Sequence, residues 1–227
     1  MDYVYDFDYP FEEKFYKTPH KGNIHTLKFK AKEAKGLVFY LHGNAGSLRD
    51  WGWIYADFVK KDYDVFVIDY RSYGKSTGPI NEANMHSDVA FIYKEVKKEY
   101  AENTIVVYGR SIGTGMAAKL AASYTPKAIV LESPYYSIKD VAKKMAPIFP
   151  LEILLKYKFN SYAYLSDATS PIYIIHGTND KVIPFLSGEK LYQLHEDKIT
   201  FYKVEGGQHN DLSNHPEFEA LLDEVLN

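Results

Sequence analysis

The chain contains no cysteine in 227 residues, which removes disulfide bridges, thiol nucleophiles and thiolate metal sites together. A missing residue type does not locate a protein, so the redox compartment stays open. Long apolar runs are also missing: no stretch of about 18 apolar residues reads as a transmembrane helix. The first residues, Met1-Asp2-Tyr3-Val4-Tyr5-Asp6, are acidic and rich in tyrosine, unlike the basic and then apolar pattern of a secretory leader. The expectation is a cytoplasmic protein without an integral membrane segment. Charge of one sign is scarce as well. The formal net charge is -3, and lysine and arginine are scattered rather than striped, which excludes a phosphate backbone, and hence nucleic acid, as the partner. Tandem repeats, low-complexity tracts and flexible linkers are absent.

What is present fits a packed globular domain. The composition is 46% hydrophobic and 25% charged, outside the range of disordered or fibrous chains. The length suits one α/β domain, 1–227. The 21 tyrosines are expected to cover core edges with their rings while the hydroxyls reach water.

The residue pattern alternates strand and helix. From Glu13 to Ala31, β-branched and aromatic residues flank the turn-like His20-Lys21-Gly22-Asn23, which predicts an antiparallel hairpin. Short apolar runs then predict buried strands at Gly36–Leu41, Asp64–Ile68, Thr104–Tyr108, Ala128–Leu131, Ile172–Ile175 and Ile199–Tyr202. Helical spacing follows most of them, at Trp51–Lys61, Asn81–Tyr100, Ile112–Tyr124, Pro184–His195 and Pro216–Leu226. The fold class is therefore α/β, with a mostly parallel central sheet covered by helices on both faces. Residues 134–170 form a longer connection with the apolar stretches Met145–Phe149 and Leu151–Leu155, and read as a short helical cap. A plain crossover helix is the alternative.

Gly109-Arg110-Ser111-Ile112-Gly113 lies directly between a strand and an alanine-rich helix. A serine on such a tight turn needs neighbours without bulk, and the turn lifts its hydroxyl above the sheet. The helix start beneath it offers unpaired N–H groups and a partial positive field. His42-Gly43-Asn44-Ala45-Gly46 follows an earlier strand, where a backbone N–H can join that of Ile112 in an oxyanion hole; Asn44 is the first choice of donor and Ala45 the second. The glycine spacing matches neither a P-loop nor a dinucleotide fingerprint. His176-Gly177-Thr178-Asn179-Asp180 places a carboxylate at the C-terminal edge of the sheet, and Gly206-Gly207-Gln208-His209-Asn210 places an imidazole there. Serine is a poor nucleophile until a base takes its proton, and that base must be held in one tautomer. Ser111, His209 and Asp180 are thus the candidate nucleophile, base and orienting acid, in the chain order expected of this architecture. His215 and His195 are alternative bases, and Glu132 is an alternative acid. Arg71 and Tyr73 read as loop braces, and His42 and His176 as structural histidines. Neither a metal nor a cofactor is implied.

With these phrases, together with Asp69-Tyr70-Arg71-Ser72-Tyr73-Gly74-Lys75-Ser76 and Glu132-Ser133-Pro134, the sequence resembles the α/β-hydrolase superfamily. Within it the resemblance is to the serine-hydrolase branch of lysophospholipase-like, monoacylglycerol-lipase-like and protein-depalmitoylase proteins. It covers roughly Lys35 to the C-terminus and implies an acyl-enzyme on Ser111, with a small-molecule ester or acyl substrate. Ser72 departs from the pattern, because such proteins often carry glycine after the Tyr-Arg pair. Two alternatives remain: a serine peptidase on the same fold, and a non-catalytic binding module. Acyl length, leaving group and oligomeric state are not legible.

Overall fold

The structure, a computed structural model, describes residues 4–145 and 157–227. Its strands are β1 (Phe11–Thr18), β2 (Gly22–Phe29), β3 (Gly36–Leu41), β4 (Tyr63–Ile68), β5 (Ile105–Arg110), β6 (Ala128–Glu132), β7 (Ile172–Gly177) and β8 (Ile199–Val204). They form one eight-stranded sheet in the order β1-β2-β4-β3-β5-β6-β7-β8. β1 pairs with β2, and β2 with β4, in antiparallel register; the other neighbours are parallel. β5 stands inside the sheet between β3 and β6.

Apolar residues fill both faces of the inner strands, and the pleat sorts them into two cores. From β3, Leu37, Phe39 and Leu41 point to one core, and Val38 and Tyr40 to the other. β5 divides in the same way, with Ile105 and Val107 on the first face and Val106 and Tyr108 on the second. The first core is covered by α3 (Glu82–Val96) and α4 (Gly113–Ala121), and the second by α2 (Tyr55–Val59) and a C-terminal helix, Pro216–Leu226. That last helix begins on Pro216 with Glu217 and Glu219 in its first turn, where a missing N–H costs nothing and negative charge meets the positive helix end.

The expected helix over Trp51–Lys61 is interrupted. The chain instead forms α1 (Leu48–Trp51), a 3₁₀ turn at Gly52–Ile54, and then α2. Within that turn, Phe7 packs so closely on Gly52 that a Cβ there would stand 2.2 Å from its ring. Among the described residues the remaining α-helices are α5 (Ile138–Met145), α6 (Ser161–Leu165), α7 (Phe185–Leu194) and α8, the C-terminal helix. Between β6 and β7, α5 and α6 occupy the described part of the segment expected to form a cap. Its apolar stretches Met145–Phe149 and Leu151–Leu155, apart from the helical backbone of Met145, lie outside the described residues.

The N-terminal hairpin is fastened to the loop after β4 by Arg71, which is fully buried. Its guanidinium donates to both carboxylate oxygens of Asp88 on α3, at 2.6 and 2.8 Å, and to the carbonyl oxygens of Pro19 and His20 in the hairpin turn. An arginine can do this because its fork carries five donors in fixed directions. Ser72 beside it has φ 67°, the left-handed region where glycine is easiest, so the departure noted in the sequence falls on a position whose backbone favours glycine.

Candidate active site

The site begins at the C-terminal end of β5. Ser111 follows Arg110 with φ 51°, a left-handed conformation that costs a non-glycine residue about 1–3 kcal/mol. The turn is held by its own backbone. The Ser111 N–H donates to the Glu132 carbonyl at 2.9 Å, and the Ser111 carbonyl accepts from the Thr114 N–H and hydroxyl at 3.0 and 2.6 Å. A side chain at Gly113 would put its Cβ 2.0 Å from the Leu41 carbonyl oxygen, and one at Gly109 would meet the Gly113 carbonyl oxygen at 2.7 Å. The two glycines let β3, β5 and α4 approach closely enough to make the turn.

His209 reaches this turn from the loop after β8. Its Nε2 lies 3.2 Å from Ser111 Oγ, and its Nδ1 lies 2.7 Å from Asp180 Oδ2. An ionised carboxylate can only accept, so Nδ1 carries the proton and Nε2 is left free to accept from the serine hydroxyl. Asp180 stands in the loop after β7, buried, with Oδ1 accepting from the backbone N–H groups of Val182 and Ile183 at 2.8 Å each. Burial pushes its pKa up, but hydrogen bonds from His176, His209 and Ile183 outweigh that and hold the carboxyl well below the ordinary range. His176 sits behind it, 3.4 Å from Oδ2, with Nε2 donating to the Ile183 carbonyl at 3.0 Å.

The alternatives raised by the sequence lie elsewhere. Glu132 accepts from the Tyr108 hydroxyl at 2.8 Å and pairs with Arg110 at 3.1 Å. His215 precedes α8 beside Asp211, and His195 ends α7.

Asn44 lies beside Ser111 in the wall of one cavity. Among the described residues the backbone N–H groups of Asn44 and Ile112 donate to no backbone acceptor, and both residues line that cavity. Ala45, the second choice, follows Asn44 in a loop that the Tyr73 hydroxyl touches. That hydroxyl donates to Asn44 Oδ1 at 2.6 Å. Tyr73 thereby braces the loop and also faces the cavity, a double role its place beside Arg71 in the sequence did not reveal. His42 lies underneath, fully buried, its Nδ1 donating to the Gly43 carbonyl at 2.7 Å and its ring stacked on Trp51.

The cavity measures about 560 Å³, within the range of small-molecule sites. Ser111, Ile112, Ile80, Met85, Tyr135, Ile138, Val141 and Phe159 are among the residues lining it, and Lys181 is the one charged residue among the described ones. Sequence reading missed most of this wall, because its parts come from five separate segments whose apolar residues look the same as core. A smaller cavity of about 220 Å³ is lined by Lys181, Val182, Gln208, His209, Asn210 and Asp211. Among the described residues no cluster of three or more metal-ligating side chains is found, and no helix is long and apolar enough to cross a membrane.

Residues 32–163 match the family described as Serine aminopeptidase, S33. The human α/β-hydrolase domain-containing protein 17B is 31% identical, across 97% of this chain and 79% of its own length. The Danio rerio lysophosphatidylserine lipase ABHD12 is 29% identical across 84% of this chain, which spans 58% of that longer protein. Among solved structures, the Pyrococcus furiosus esterase Pf2001 superposes with a TM-score of 0.76 over 96% of this chain and 90% of the esterase, at 19% identity.

Proposed function

Because this chain belongs to the α/β-hydrolase superfamily, in its serine aminopeptidase family, we propose that it is a serine hydrolase cleaving carboxylic esters or thioesters through an acyl-enzyme on Ser111. The observation that carries the reading is the continuous line from Asp180 through His209 to Ser111, with spacings of 2.7 and 3.2 Å. In this reading Ser111 Oγ attacks the carbonyl carbon while its proton passes to His209 Nε2, and Asp180 stabilises the imidazolium without taking a proton. The carbonyl oxygen becomes an oxyanion held by the N–H groups of Asn44 and Ile112. His209 then gives its proton to the leaving alcohol or thiol as that bond breaks. Water, deprotonated by the same histidine, releases the acid and restores Ser111.

The apolar cavity beside Ser111 suits an acyl chain, in keeping with relatives named as a lipase and an esterase. As part of the same reading, residues 134–170 form a small cap on a single domain, since Tyr135, Ile138, Val141, Tyr157 and Phe159 all face that cavity. The family description favours a second reading, an aminopeptidase. Such an enzyme has to hold a protonated amine, yet the described wall carries no carboxylate and one lysine, which repels an ammonium group. The ester reading is therefore preferred.

The test is labelling with a fluorophosphonate followed by intact mass, on wild type, Ser111→Ala and His209→Ala, together with turnover of p-nitrophenyl esters of graded chain length and of aminoacyl p-nitroanilides. Labelling confined to wild type, a chain-length optimum and no cleavage of the anilides are expected. A turnover number in Ser111→Ala within about tenfold of wild type contradicts the mechanism, since loss of the nucleophile should cost on the order of 10⁴-fold or more.

A further inference from the structure

Arg110 is the last residue of β5, directly before Ser111. A long cation at the rim of a sheet would ordinarily reach into water, yet this side chain is 16% exposed and is engaged in several directions. Its Nε lies 3.1 Å from Glu132 Oε1, and the other oxygen of Glu132 is fixed by the Tyr108 hydroxyl. Its Nη2 donates to the backbone carbonyl of His209 at 3.1 Å and to Asn210 Oδ1 at 2.9 Å. Its guanidinium carbon lies 5.0 Å from the ring centre of Trp51, whose Nε1 donates to the Ala45 carbonyl at 2.9 Å. One side chain thus pairs with Glu132, whose carbonyl accepts from the Ser111 N–H, and touches the loop of the histidine and the ring that holds the Asn44-Ala45 loop.

The His209 loop needs such an anchor. Its first half is fastened by the Gly206 N–H on Thr178 Oγ1 and by the Asn179 N–H on the Gly207 carbonyl, both at 2.9 Å. Those bonds hold the glycines before the histidine. Among the described residues, the bond from Arg110 is the one hydrogen bond made by the backbone of His209 itself. Asp180 orients the imidazole but does not fix the height of the chain that bears it.

We infer that Arg110 is a positioning residue, which holds the backbone of His209 at a set distance from the strand that carries Ser111. The inference rests on the roles proposed above for Ser111 and His209. A guanidinium is suited to the task because it carries its donors in fixed directions, so that Nη2 can hold the histidine loop while Nε faces the Glu132 carboxylate as an ion pair, whereas an ammonium is a point charge on a flexible stem. Displacing a reacting group by about 1 Å costs up to about 10²-fold in rate. That loss should fall on the proton transfers and not on acyl binding, since Arg110 takes no part in the apolar cavity.

The experiment compares wild type, R110M, R110K and Ser111→Ala by kcat and KM on one p-nitrophenyl ester, by the rate of fluorophosphonate labelling, and by thermal unfolding. R110M should lose about 10- to 100-fold in both kcat and labelling rate with KM changed less than about twofold, and R110K should recover part of the loss. A folded R110M with wild-type kcat and labelling overturns the inference, as does a rise in KM at constant kcat. If R110M does not fold, R110K decides by the same criteria: a wild-type kcat overturns the inference, and a reduced kcat at unchanged KM upholds it. Turnover in Ser111→Ala would remove the mechanism itself, whatever Arg110 does, and so keeps the two failures apart.

Discussion

At Asp180 one carboxylate serves both structure and the reaction proposed for it. Its depressed pKa means that the ionised form stabilises the folded chain, a contribution present above the ordinary carboxylate value of 3.8 and lost as the pH falls below it. The melting-temperature gap between wild type and Asp180→Asn should therefore be widest near neutral pH and should narrow as the pH is lowered below about 4; a gap of constant width across that range would contradict the assignment. The same variant should lose about 10⁴-fold in kcat, because an amide no longer selects the tautomer with Nδ1 protonated. Gly113 sets a different kind of limit. A methyl group there meets the Leu41 carbonyl at 2.0 Å, so Gly113→Ala should lower stability by about 1–3 kcal/mol, as forced overpacking does, in urea unfolding followed by circular dichroism.

Among the elements, the inner strands could be read from sequence almost residue by residue. Gly36–Leu41 is β3, and Ala128–Leu131 falls one residue short of β6, because a strand buried on both faces announces itself as an unbroken apolar run. Helix ends were harder to place: the pattern over Asn81–Tyr100 gives way to α3 ending at Val96. Periodicity continues where backbone bonding does not. The candidate site was legible in the same uneven way. Glycine-flanked residues after strand ends put Ser111, Asp180 and His209 at one edge of the sheet and favoured Asp180 over Glu132 as the partner of His209, but gave no sign that Glu132 faces Arg110. Distances of 3.1 and 2.7 Å separate those cases. Arg71 shows how far a single residue can bind elements together. Replacing Asp88 with alanine leaves its guanidinium buried without a counter-ion, so Asp88→Ala should destabilise the chain by about 3–5 kcal/mol in chemical denaturation. A change below 1 kcal/mol would mean that the hairpin carbonyls alone suffice for Arg71.

For the molecule as a whole, the sheet supplies a rigid edge, while the segment between β6 and β7 supplies much of the apolar wall. On the proposed reading, specificity and chemistry are thereby divided between parts of the chain that can vary separately. If the enzyme acts as proposed, Ile138→Trp, on α5, should shorten the preferred acyl chain of the ester substrates while leaving turnover of acetyl esters within about threefold, because filling the cavity changes binding of the longer chains. Unchanged chain-length preference would place the acyl group elsewhere. The order of the parts along the chain also has a chronology. Ser111 ends a central strand, and His209 arrives 98 residues later, beyond β8. On the proposed reading, synthesis delivers the nucleophile 98 residues before its base, so the emerging chain carries Ser111 without the group that activates it. On that reading, reactivity at Ser111 requires the loop after β8 to be docked, so labelling of Ser111 would report that docking.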